Sequence, residues 1–176
     1  MPTTKPSDED DRTTALGLAR YAYEYLEAAL LVDEKLGADE AHAIVSPTPA
    51  YFLAAHAIEL TLKAYLRFSG VPVRQLRSRT YGHDIHACYR KAKEIGLLRI
   101  FGEQREDIEA LSLLADLNKD QGLRYIRTGA KTFPSWGIVE PFAVRLHQAV
   151  APLVGYKTFS KAFHQTSART GTTENS

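Results

Sequence analysis

The stretch from Ala50 to Asp84, AYFLAAHAIELTLKAYLRFSGVPVRQLRSRTYGHD, constrains the fold more than any other part of the chain. Its first half is apolar on most sides, with Phe52, Leu53, Ala57, Ile58, Leu60, Leu62, Ala64, Tyr65 and Leu66. A helix that is hydrophobic nearly all round belongs at the centre of a bundle, and its alanines let neighbouring helices approach closely. Gly70 supplies a left-handed stop. A loop with Arg74, Arg77 and Arg79 follows, and Gly82-His83-Asp84 then marks the start of another helix. A close-packed helix that hands its chain to a basic, histidine-bearing turn points to a small helical bundle that handles an anion.

The rest of the chain fits that frame. Leu16, Ala19, Tyr23, Leu26 and Leu30 form a helical stripe, with Ala22, Tyr25, Ala29 and Val32 beside it, so the first helix is expected over about 13–36 and Gly37 ends it. The central helix is expected over about 49–68, with Thr48 as its cap and Pro49 in its first turn. A third runs over about 84–95, up to Gly96. A fourth covers about 103–119, with acids in its first turn and Ile108, Leu111, Ala115 and Asn118 at helical spacing. Residues 120–136, with Gly122, Gly129 and Pro134, break the helical period and read as an irregular crossover. The last helix is expected over about 139–154, with Pro141 in its first turn and Pro152 distorting its end. The fold class is therefore all-α: an antiparallel bundle of four to five helices with one irregular crossover before the last helix. Residues 12–164 read as a single domain between an acidic disordered tail, 1–11, and a polar disordered tail, 165–176.

At 176 residues the chain can bury a sizeable core as one domain. Its single cysteine, Cys88, excludes an internal disulfide framework and a cysteine-rich zinc site, and mid-helix it reads as core rather than nucleophile. The start of the chain carries Asp8 to Asp11 and no apolar signal core, and no apolar run approaches the roughly 20 residues of a membrane helix. A cytoplasmic protein without a membrane partner is expected. The formal net charge of +1 conceals a polar distribution: residues 1–40 hold four Lys/Arg against ten Asp/Glu, whereas residues 63–99 hold nine Lys/Arg against Asp84 and Glu94 alone. Such asymmetry either steers a polyanion to one face or simply decorates solvated helix faces.

Three constellations carry potential chemistry. His56, Glu59 and Lys63 share one line of the central helix, with Glu59 and Lys63 an i,i+4 pair of favourable orientation. They make either a buried ion pair that fixes helix register or a charged seam facing a ligand or a subunit. His83, Asp84 and His86 sit at a helix start, where Asp84 can cap and the free N–H groups attract anions. The two histidines are either acid and base for phosphodiester cleavage or structural hydrogen-bonding and packing groups. Arg124, Tyr125 and Arg127, with Lys119 and Lys131, suit phosphate and a stacked base, or else tie back to the bundle. Other templates fail, because the chain has no Gly-rich phosphate loop, no Gly-x-Ser-x-Gly and no His-Glu-x-x-His, and no cofactor is expected. A metal site would have to gather His56, His83, His86 and His147, yet the only approach to a di-iron motif is the reversed His56-x-x-Glu59. No metal is assigned.

The runs AAHAIELTLKAYLRFSG, GHDIHACYRKAKEIGL and LNKDQGLRYIRTG together resemble the HEPN superfamily (higher eukaryotes and prokaryotes nucleotide-binding). The resemblance rests on Ala57, Glu59, Lys63 and Ala64 in the central helix, on Gly82-His83-Asp84 and on Arg124-Tyr125, and spans about residues 15–155. It implies a dimeric helical bundle. Many members are metal-independent RNases of toxin–antitoxin, phage-defence or RNA-processing systems, whose arginine and histidine meet at the dimer interface. Others are non-catalytic and bind RNA or pair with a nucleotidyltransferase. The active members carry an Arg followed at short distance by a His, at a later helix than here. In this chain Arg77 precedes His83 and Arg79 precedes His86 at such a distance, in the loop before the third helix, while Arg124 and Arg127 have no following His.

The leading expectation is a homodimeric HEPN-like domain that binds RNA or a nucleotide, with an antitoxin or nucleotidyltransferase as further partner. If it cleaves, His83 is the acid/base, Arg79 or Arg77 neutralises the phosphorane, and Arg74, Asp84, His86, Arg124, Tyr125 and Arg127 bind the anion. The alternatives are a non-catalytic homodimeric interaction module and a metal-binding bundle enzyme.

Overall fold

The computed structural model describes residues 12–42, 45–118, 123 and 131–161. Among them every regular element is helical: α1 (Ala15–Leu36), α2 (Thr48–Phe68), α3 (Val73–Leu76), α4 (Ile85–Glu94), α5 (Arg105–Asn118) and α6 (Trp136–Val150), with short 3-10 turns between some of them. None of these helices is long and apolar enough to cross a membrane. The architecture is an all-α bundle with α2 at its centre, in contact with α1, α4, α5 and α6.

The centrality of α2 follows from its composition. Ala50, Ala54, Ala57, Ile58, Leu62, Ala64 and Leu66 are all but inaccessible, and the alanines allow α1 to lie along it. On α1 the buried stripe is Ala19, Ala22, Leu26 and Ala29. Leu16, expected in that stripe, stands in the first turn of α1 and is 46% exposed. Large side chains such as Leu26, Ile58, Leu62, Phe142 and Leu146 close the core, each contributing on the order of 2 kcal/mol by leaving water.

The ends of the helices are set by caps. Thr14 accepts from the Gly17 amide (3.0 Å) at the start of α1, and Asp84 accepts from the Ala87 amide (2.9 Å) at the start of α4. Gly70, at φ +92°, ends α2 while the Val71 amide reaches back to the Leu66 carbonyl (3.0 Å).

Further expectations are corrected. Thr48 does not cap α2 but is its first residue, with Pro47 at the cap position and Pro49 inside the first turn. The basic loop contains a helical turn, α3, because Val73 and Leu76 both point into the core while Pro72 presets the entry. On α5 the buried face carries Asp107, Ala110, Leu111, Leu114 and Leu117, and Ile108 is 41% exposed. The face is rotated because buried Asp107 receives Arg145 of α6 (2.9 and 3.1 Å), a pair the sequence did not announce. Helix α5 starts at Arg105, leaving Glu103 to bind Lys93 (2.8 Å) and the Tyr89 hydroxyl (2.6 Å). Helix α6 begins at Trp136, capped by Ser135, so Pro141 lies in its interior rather than in its first turn. It stops at Val150, and Pro152–Val154 continue as a 3-10 turn, the distortion expected of Pro152.

Candidate functional site

The two histidine-bearing constellations, apart in sequence, meet in space around one buried carboxylate. Glu59 is 3% exposed in the body of α2. Lys63 stands one turn on and places Nζ 2.6 Å from Glu59 Oε1, the buried pair read from the i,i+4 spacing. The same Nζ donates to the carbonyl of Gly82 (2.7 Å), which fastens the loop before α4 to the central helix. His83 Nδ1 then lies 3.6 Å from Glu59 Oε1, and His56 Nδ1 lies 3.7 Å from Oε2. Both are ion-pair distances rather than hydrogen bonds. Burial pushes the Glu59 carboxyl up, but the attraction of His56 and Lys63 overrides it, and the group sits below the ordinary glutamate value.

The loop from Arg77 to Asp84 is folded tightly onto this support. The amides of Tyr81 (3.1 Å) and Gly82 (2.7 Å) both donate to the Ser78 carbonyl, and Cys88 Sγ reaches the Tyr81 carbonyl at 3.5 Å. A Cβ on residue 82 would stand 3.0 Å from that Ser78 oxygen, so glycine is the residue that lets the chain close here. Burial pushes the Cys88 thiol up to about 12, which makes it a packing group rather than a nucleophile.

Beside the loop opens a cleft of about 970 Å³. Arg77 and Arg79 line it from the loop, His83 and Asp84 from the turn into α4, and His86 and Arg90 from α4 itself. Asp116 and Asn118 close it from α5. Three arginines thus face two carboxylates, one of which, Asp84, is occupied in capping α4. Half-exposed His83 and partly buried His86 stand among them. Such a lining attracts an anion, offers arginine forks to phosphate oxygens, and places two imidazoles where a proton can be exchanged with it.

Of the residues read from the sequence, Arg77, Arg79, His83, Asp84 and His86 are brought together. Arg74 is not among the cleft residues, because it projects into solvent from α3 while Val73 and Leu76 anchor that turn. Arg124, Tyr125 and Arg127 lie outside the described residues. His147, weighed as a metal ligand, is fully buried elsewhere, with Nε2 against the Ala19 carbonyl (3.1 Å) and Nδ1 against the Thr158 hydroxyl (2.8 Å). Among the described residues no three His, Cys, Asp or Glu side chains gather as a metal site. Sequence reasoning missed Arg90, Asp116 and Asn118. Arg90 had a signal, standing at i+4 from His86 on the same face of α4. The chain matches no protein-family model, no curated protein and no solved structure.

Proposed function

We propose that this protein is a HEPN-like helical domain that binds RNA in the arginine- and histidine-lined cleft and cleaves it without a metal ion. The observation that carries the reading is the convergence of Arg77, Arg79 and Arg90 with His83 and His86 on one cleft, next to a capped helix start. Phosphate oxygens of the backbone pair with the arginines. A 2′-hydroxyl then attacks the adjacent phosphorus while one histidine takes its proton. The bond from phosphorus to the 5′-oxygen breaks as the other histidine supplies a proton to that leaving oxygen. The products are a 2′,3′-cyclic phosphate and a 5′-hydroxyl, so neither a metal nor water enters the step. Arg77 or Arg79 neutralises the charge that builds on the phosphorane.

The second reading is a homodimeric interaction module without catalysis. Such a module would use the apolar side chains exposed along α1, Tyr21 at 52%, Leu31 at 53% and Leu36 at 51%, as its contact residues. One experiment separates the two. Untagged protein is incubated with a short labelled RNA in EDTA, wild type beside His83→Ala. Cleavage by the wild type that drops at least 100-fold in the variant supports the ribonuclease. A salt-sensitive gel shift without cleavage leaves RNA binding only, and neither cleavage nor shift leaves the interaction module.

A further inference from the structure

The buried carboxylate at the back of the cleft has more partners than charge balance requires. Lys63 alone, at 2.6 Å, neutralises Glu59. Two imidazoles nevertheless turn Nδ1 toward it, and their surroundings differ. The side chain of His56 is 19% exposed and walled by aromatic rings, edge-on to Tyr25 with centroids 4.5 Å apart and parallel to Phe52. The side chain of His83 is 50% exposed and lines the cleft. Lys63 adds a second link, since its bond to the Gly82 carbonyl fixes the backbone one residue before His83. Both the backbone entering His83 and its ring are therefore held by the same Glu59–Lys63 unit of the central helix.

We propose that Glu59 is the positioning residue for His83: it holds the ring with Nδ1 turned inward and leaves Nε2 to the phosphate bound in the cleft. The assignment rests on the reading of the cleft as an RNA site. Glu59 touches no substrate and acts through His83 alone. A carboxylate beside Nδ1 favours the tautomer protonated there, which leaves Nε2 the lone pair a base needs. It also stabilises the imidazolium formed when Nε2 takes the 2′-hydroxyl proton. At 3.6 Å the contact is electrostatic, the length at which catalytic hydrogen bonds often stand before substrate is bound.

The test uses the full chain as wild type, Glu59→Gln, His83→Ala and the double variant, assayed on short labelled RNA with EDTA for binding and for cleavage. The ring nitrogens of His83 are read in parallel by 15N NMR. Glu59→Gln is expected to bind RNA within about twofold of wild type and to cleave about 10–100-fold more slowly, a loss of the size found when the partner that orients a metal-bound histidine is removed. The double variant should be no slower than His83→Ala, because groups acting as a unit are not additive. A further loss on top of His83→Ala, or wild-type cleavage by Glu59→Gln, overturns the proposal while the ribonuclease stands. If the wild type does not cleave at all, the ribonuclease reading fails and the ring spectrum decides. A neutral His83 protonated at Nδ1 in wild type and shifted toward Nε2 in Glu59→Gln upholds the positioning, and identical spectra overturn it. Should Glu59→Gln not fold, Glu59→Gln/Lys63→Met removes both buried charges together, and its His83 spectrum is read in the same way.

Discussion

His83 and His147 are the same residue type in opposite circumstances. His147 is fully buried in α6 with both ring nitrogens engaged: because the Ala19 carbonyl only accepts, Nε2 must carry the proton, and Nδ1 accepts from the Thr158 hydroxyl. Tyr23 and Phe159 pack against it, Tyr156 and Phe159 both pack on Tyr23, and Gln148 donates to the Phe159 carbonyl (2.8 Å), so this end ties the segment after α6 to α1. His83 has one nitrogen turned to a buried carboxylate and half its surface open to a basic cleft. A closed set of hydrogen bonds stabilises and does nothing else. A set left open on one side, and supported from below, is what a reacting or binding group requires.

The sharpest way to break that comparison is to remove the support beneath His83. Lys63→Met leaves Glu59 in the core with its close cation gone, and breaking one side of a buried pair costs about 3–5 kcal/mol. Denaturant unfolding of the variant should show a loss of that size in unfolding free energy. A loss under 1 kcal/mol would mean that His56 and His83, not Lys63, balance the carboxylate.

Acid sharpens the contrast in a second way. Burial pushes the His147 ring below the ordinary histidine value, although its bond to Ala19 opposes this. Folded protein therefore declines a proton that the unfolded chain accepts below about pH 6.5, and stability falls as pH drops through that region. The Glu59 carboxyl is also held below its ordinary value, so its contribution is full above about pH 4.3 and is lost only at more acid pH. Thermal unfolding of wild type should thus weaken in two steps, the first below about pH 6.5 and the second below about pH 4. In His147→Gln the first step should be blunted and the second kept. If both persist unchanged, His147 is not the group that titrates.

The helices were legible because apolar spacing and caps are local. Gly70, Asp84, Gly96 and the alanines of α2 each act within a turn of their own position, and Glu59–Lys63 lies within one helix. The meeting of Glu59 with His83 was not legible, since it depends on how the loop after α3 folds back, and that is set by Gly82 against Ser78 and by Lys63 across the bundle. Asp107–Arg145 was hidden for the same reason: one charge on each of two helices shows no pairing until the helices pack. Arg74 was grouped with Arg77 and Arg79 because all three follow one another in a basic run, and only the turn of α3 separates their directions.

That separation gives the smallest and most discriminating effect. Arg79 lines the cleft, whereas Arg74 does not. If the cleft holds a nucleic-acid backbone, Arg79→Gln removes about one phosphate contact. The slope of log affinity against log salt should then fall by about 0.7 for a single strand, with weaker binding across sequences alike. Arg74→Gln removes the same charge from the same loop region at nearly the same sequence position, and should leave both affinity and slope unchanged. Long-range attraction cannot distinguish the two variants once salt reaches about 0.15 M, where the screening length is about 8 Å. A difference that survives at that salt therefore reports direct contact. Equal losses from both would place the polyanion over the whole basic loop rather than in the cleft, and His83 would then be a bystander to binding.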